Sequence, residues 1–85
     1  MKEIRIIGLL ITDRIKEAGL TQRLLSEYAY LIKSRLGFHE VSEDVCSRMG
    51  VILLQLSGTT AEFDIFENKL RDIGGIEVQH MIFQI

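Results

Sequence analysis

Two short stretches of this chain, Glu3–Ile11 after its Arg5 and Met49–Leu56, are apolar on both faces of a pleated strand. The first holds Ile4, Ile6, Ile7, Leu9, Leu10 and Ile11, and the second holds Val51, Ile52, Leu53, Leu54 and Leu56. Side chains of a strand alternate between faces, so a run that is apolar at nearly every position belongs in the middle of a sheet. Both runs are strand-sized, far below the roughly 20 residues that cross a bilayer as a helix, so no membrane span is expected.

Each run is followed by a helical pattern and a returning strand. After strand one, Thr12 and Asp13 offer an N-cap oxygen. Ile15–Ala29 then places Ala18, Leu24, Leu25 and Tyr28 near one helical face. Gly19 weakens that helix by about 1 kcal/mol relative to alanine, which predicts a late start or a bend. Tyr30–Phe38 reads as a half-solvated edge strand, with Tyr30, Ile32, Leu36 and Phe38 alternating with Lys33, Arg35 and Gly37. His39–Arg48 is polar, acidic in its middle, and reads as a loop.

After strand three, Thr59-Thr60-Ala61-Glu62 matches a capping box. Phe63, Phe66, Leu70 and Ile73 recur at helical spacing, with Glu62, Glu67, Lys69 and Arg71 as the solvated face. Gly74-Gly75 supplies a left-handed stop. Ile76–Ile85 is the last strand, with Val78, His80 and Ile82 on one side and Met81, Phe83 and Ile85 on the other.

The order β-α-β-β-α-β divides into two β-α-β halves. Right-handed crossovers put both helices on one face of a four-stranded antiparallel sheet, an α+β ferredoxin-like fold. Strands one and three become the central pair, and they are also the two most apolar strands. The 85 residues suit one domain, 1–85. Two helices cover one sheet face only. The uncovered face carries either Ile7, Leu9 and Ile11 or Ile4, Ile6 and Leu10 from strand one. From strand three it carries either Val51 and Leu53 or Ile52, Leu54 and Leu56. Either choice leaves a contiguous apolar patch in water. A homo-oligomer is therefore expected, a symmetric dimer by default, in which a second copy covers the bare face or extends the sheet edge.

Cys46 is the only cysteine, so no disulfide can staple the domain. A lone thiol and a start, Met1-Lys2-Glu3, unlike a secretory segment suggest a reducing, cytoplasmic setting. The formal net charge of −2 predicts no strong sequence-independent pull toward nucleic acid.

Several short strings resemble one family. They are Ile11-Thr12-Asp13-Arg14, Leu24-Leu25-x-Glu27-Tyr28, Arg35-Leu36-Gly37-Phe38, Val51-Ile52-Leu53-Leu54, Gly58-Thr59-Thr60 with Asn68-Lys69-Leu70, and Gly74-Gly75-Ile76-x-Val78. Together they resemble the iron-only hydrogenase system regulators, small stand-alone domains similar to ACT domains and to the C-terminal domain of nickel-responsive repressors. The resemblance covers nearly the whole chain. It departs at Gly19, and at Ser34, where the family pattern often has glycine. It implies a ferredoxin-like oligomer tied to assembly or regulation of iron–iron hydrogenase. The chain has no helix-turn-helix, ribbon-helix-helix arm or basic stripe, so direct DNA binding is not expected.

Four residues are candidates for a ligand site. Arg35 offers a guanidinium to a carboxylate or phosphate, and Gly37 permits close approach. The plainer role of Arg35 is to blunt an edge strand. Thr12 and Asp13 occupy the strand-to-helix turn, near which ACT-like domains often bind small effectors against a neighbouring subunit. N-capping is the plainer role there, because Asp13 opposes an anion. His39, Cys46 and His80 are the soft metal ligands, but their spacing matches no metal motif and the two histidines fall on opposite edge strands. No metal or cofactor is expected.

Histidine-paired nucleophiles, paired carboxylates and phosphate-cradling loops are all missing, so the chain is expected not to be an enzyme. The expected function is a homo-oligomeric regulatory or effector-sensing module, with a hydrogenase-related or regulatory protein as a further partner. The alternatives are an interaction scaffold without a ligand and, behind it, an enzyme of the dimeric α/β-barrel type.

Overall fold

The computed structural model describes residues 2–12, 14–41 and 46–85. Strand β1 is Glu3–Ile11, helix α1 is Arg14–Glu27, and a 3-10 turn follows at Ala29–Leu31. Strand β2 is Ile32–Val41, β3 is Cys46–Leu56, helix α2 is Thr60–Arg71 and β4 is Ile76–Gln84. All four strands form one antiparallel sheet in the order β2-β3-β1-β4. The two strands that are apolar on both faces are thus the central pair, in an α+β ferredoxin-like arrangement.

The register settles which face the helices cover. Along β1 the buried positions alternate: Arg5, Ile7, Leu9 and Ile11 are buried while the residues between them are half-buried. Ile7 lies opposite Leu54 and Leu9 opposite Ile52, and on the other side Leu9 lies opposite Val78. These residues form one core with Leu25 of α1 and with Phe63, Phe66 and Leu70 of α2. Full burial of such side chains stabilises by about 1.5–3 kcal/mol each. The stripe Phe63, Phe66 and Leu70 is the face that α2 presents to the sheet.

Local signals account for most of the boundaries. The capping box at the start of α2 is complete: Thr59 Oγ1 accepts from the Glu62 amide at 3.2 Å, and Glu62 Oε1 accepts from the Thr59 amide at 3.2 Å. At the far end the left-handed conformation is carried by Gly75, at φ 84°. Gly58, which leads into α2, has φ 152°, and a Cβ there would lie 2.9 Å from Leu31 Cδ2. Only glycine suits that backbone and that gap.

Four boundaries differ from the sequence reading. Helix α1 runs through Gly19 and ends at Glu27, and Tyr30 sits exposed in the 3-10 turn rather than opening β2. The Leu31 amide donates to the Tyr28 carbonyl at 2.9 Å, which tightens the chain before the strand. Helix α2 stops at Arg71, with Asp72 as its C-cap. Most of His39–Arg48, expected as a loop, extends the β2–β3 hairpin: β2 reaches Val41, and β3 begins at Cys46, opposite Val41. A ladder is made by backbone groups, which the polarity of the side chains does not report.

Candidate functional site

The uncovered sheet face is apolar along much of its central pair, with Gln55 of β3 and Gln79 and Glu77 of β4 interrupting it. From β1 it carries Ile4, Ile6 and Leu10, around Gly8. From β3 it carries Val51 and Leu53, with Leu36 opposite Leu53 on β2, and Met81 and Phe83 lie opposite Ile6 and Ile4 on β4. Of the two sets that alternation allowed for strands one and three, these are the ones left bare. Leu36 is 55% exposed, Met81 52% and Phe83 51%. At about 3.3 Å per residue and 4.8 Å between strands, the face measures roughly 30 by 15–20 Å. Its apolar part is on the scale of the largest patches, a few hundred Å², that monomers leave in water, and patches of that size are often interaction surfaces.

A second feature lies under the helices, at the Arg5 end of the core. Arg5 and Glu67 are both buried. Arg5 Nη1 donates to Asp64 Oδ1 at 2.8 Å and to Glu67 Oε1 at 3.3 Å, and its Nε donates to Glu3 Oε2 at 2.7 Å. Glu67 also accepts from Arg71 Nη2 at 2.7 Å, and His80 Nδ1 sits 2.8 Å from its carboxylate. A carboxylate only accepts, so Nδ1 carries the hydrogen. The Arg5 guanidinium lies 5.6 Å from the centre of the Phe63 ring.

Burial alone pushes the Glu67 carboxyl upward. Hydrogen bonds from Arg71 and His80 and their charges outweigh it, so the pKa of Glu67 falls below the usual value. Burial likewise pulls the Arg5 guanidinium down, and the bonds to Glu3 and Asp64 more than offset that. The cluster locks strands β1 and β4 to α2.

Glu67, placed by the sequence reading on the solvated face of α2, is therefore a core residue. The signal was present, because Phe63, Glu67 and Leu70 stand at i, i+4 and i+7, on one helical face. Arg5 likewise continues the inward alternation of Ile7, Leu9 and Ile11. A buried cation on the strand calls for a buried anion on the helix that packs against it.

The three described candidate ligand residues, Thr12, Arg35 and Gly37, do not converge on one site. Thr12 ties the end of β1 to the α2–β4 turn: its amide reaches the Gly75 carbonyl at 3.1 Å and its hydroxyl donates to the same oxygen at 2.8 Å. Asp13 lies outside the described residues. Arg35 sits within β2, opposite Leu54, and Arg35 Nη1 donates to Gln22 Oε1 of α1 at 3.2 Å. Gly37 is exposed, with open space where a Cβ would stand. In register it shares a row with Ile52 and Leu9, so its backbone lies about 14 Å from that of Thr12.

His39 and His80 lie on β2 and β4, the two sheet edges. Cys46, expected in a loop, opens strand β3. Among the described residues no group of three or more His, Cys, Asp and Glu converges. An open cleft of about 590 Å³ lies at the end of the sheet opposite Thr12, bordered by Lys2, Lys33, Gly58, Thr59, Thr60 and Ile85. No described helix is long and apolar enough to cross a membrane.

No protein-family model and no curated protein matches the chain. Among solved structures, it is similar to the uncharacterized protein TM1266 from Thermotoga maritima. The TM-score is 0.81 and the identity 24%, covering 98% of this chain and 100% of the other. That similarity establishes the fold: the whole chain superposes on a protein of the same architecture.

Proposed function

We propose that the chain is a homo-oligomeric regulatory module that works through the apolar surface its own helices leave uncovered. The observation that carries this reading is the bare face of Ile4, Ile6, Leu10, Leu53, Met81 and Phe83. Covering a fully exposed side chain of this size is worth about 1.5–3 kcal/mol before association costs are subtracted, and less for Ile4, Ile6, Leu10 and Leu53, which are half-buried already. The resemblance to iron-only hydrogenase system regulators supplies the context, assembly or regulation of that hydrogenase, acting through a protein partner rather than by contact with DNA. Effector sensing belongs to the same reading.

One observation favours the scaffold alternative. Thr12 and Arg35 bond within the domain, which leaves them less free for a small molecule. A thermal-shift series separates these readings. If the folded chain associates, its Tm rises with protein concentration, because association stabilises the folded state by mass action. A Tm independent of concentration would contradict self-association. A rise of several degrees with one amino acid, nucleotide or metal would select sensing, and no rise with any would select scaffolding.

A further inference from the structure

The two edges of the sheet are protected very differently. Edge strand β2 carries Lys33 and Arg35, and its pairing with β3 is irregular between Ile32 and Ser34 and again between His39 and Val41. Charges and bulges of this kind keep a sheet edge from pairing with another chain. Edge strand β4 pairs with β1 in unbroken register from Ile76 to Gln84. Its second half and the residue after it, Met81-Ile82-Phe83-Gln84-Ile85, have no charged side chain and no proline, and Met81, Ile82, Phe83 and Ile85 are all exposed.

The hydrogen-bond phase of β4 identifies which backbone groups are free. Lys2 and Ile85 exchange both backbone bonds, at 3.3 and 2.9 Å. Antiparallel pairing alternates, so Phe83, Met81 and Gln79 also bond toward β1, while Val78, His80, Ile82 and Gln84 turn their amides and carbonyls outward. The Val78 carbonyl is already taken, by Arg71 Nη1 at 2.9 Å. The outward groups of His80, Ile82 and Gln84 are left as a bare template beside a helix-anchored, capped one.

We propose that this template pairs with the same segment of a second copy, antiparallel, on a two-fold axis that passes between the two Ile82 residues. The proposal rests on the self-association reading and assigns it an interface. This register is the one that suits the residues. Ile82 meets its own copy on the helix side, His80 meets Gln84, and Met81 meets Phe83 on the open side, so apolar faces apolar and no like charges oppose. The three outward pairs exchange about six ladder bonds. Val78, with its Arg71 cap, stays outside the paired stretch. The result is a continuous sheet with the helices of both copies on one side; edge pairing of this kind leaves the open face for a further copy or a partner.

Two charge variants and one exchange measurement test this. Ile82→Lys and Ile82→Glu, checked for folding by circular dichroism, are each expected to weaken self-association at least tenfold, because each places like charges on the axis. Mixed together they are expected to recover a one-to-one heterodimer. In the unmodified chain the amides of His80, Ile82 and Gln84 should exchange hydrogen more slowly as the oligomer fills. This readout holds even if a variant fails to fold. Unchanged association in both variants would overturn the proposal, as would loss of association with no recovery on mixing. So would fast exchange at those three amides in a fully formed oligomer. In each case self-association itself would stand and only its site would fall. A monomer whose edge amides slow only when another protein is added would assign β4 to a foreign strand instead.

Discussion

His80 Nδ1 lies 2.8 Å from both carboxylate oxygens of Glu67, on a side chain only 7% exposed. The same carboxylate receives the buried Arg5 and the half-exposed Arg71. Removing one member of such a cluster leaves its partners buried without their counter-charge, which costs more than an exposed pair is worth. Glu67→Gln keeps the shape and removes the charge, and is expected to destabilise the domain by about 2–3 kcal/mol. Arg71→Ala, from the exposed side, should cost about 1 kcal/mol. Urea denaturation of the two variants checks the order, and equal small effects would show that the cluster is not a stability element.

The same carboxylate sets an acid limb. Its pKa in the folded domain lies below the usual 4.5, with Arg71 and His80 overcoming the penalty of burial. A depressed folded value means that the contribution is complete above the unfolded value and is lost as pH falls through the folded one. Stability should therefore hold near neutrality and decline from about pH 5 toward pH 3, and Glu67→Gln should flatten that decline. Parallel acid limbs for the two proteins would remove Glu67 from this role.

At the entry to α2, Gly58 combines positive φ with a Cβ position 2.9 Å from a methyl of the buried Leu31. Gly58→Ala is expected to cost about 2 kcal/mol from backbone strain together with crowding. Gly19→Ala is the matched control, because its Cβ would meet nothing within 4 Å. That change should stabilise by about 0.5–1 kcal/mol through helix propensity. Thermal denaturation of both would show opposite signs, and the same sign in both would contradict the local geometry.

The fold was readable because three signals agreed. Apolar runs marked β1 and β3 as central, the Thr59–Glu62 capping box fixed the start of α2, and the β-α-β repeat dictated the sheet order. The hairpin was not readable, since backbone ladders extend to Val41 and back from Cys46 whatever the side chains. The ionic cluster was half-legible. Arg5 and Glu67 fall on inward positions of their elements, yet a charged residue is ordinarily solvated and only the partner residue across the fold reverses that expectation. His80 could not be joined to Glu67 from the sequence, because the contact needs the register of β4 on β1.

The ligand candidates show the opposite limit. Arg35 is nominated by the chemistry of its guanidinium, and Thr12 by the resemblance to ACT-like domains, which often bind effectors near that turn. Their bonds to Gln22 and Gly75 depend on how α1 and the α2–β4 turn sit on the sheet, which no local pattern in the sequence encodes.

Sedimentation velocity across nanomolar to micromolar protein concentration measures the exposed sheet's need for another copy most directly. The expected result is a concentration-dependent species of twice the chain mass or more, folded throughout. A stable, fully folded single copy at every micromolar concentration would contradict self-association, and the proposed mode of action would lose its basis.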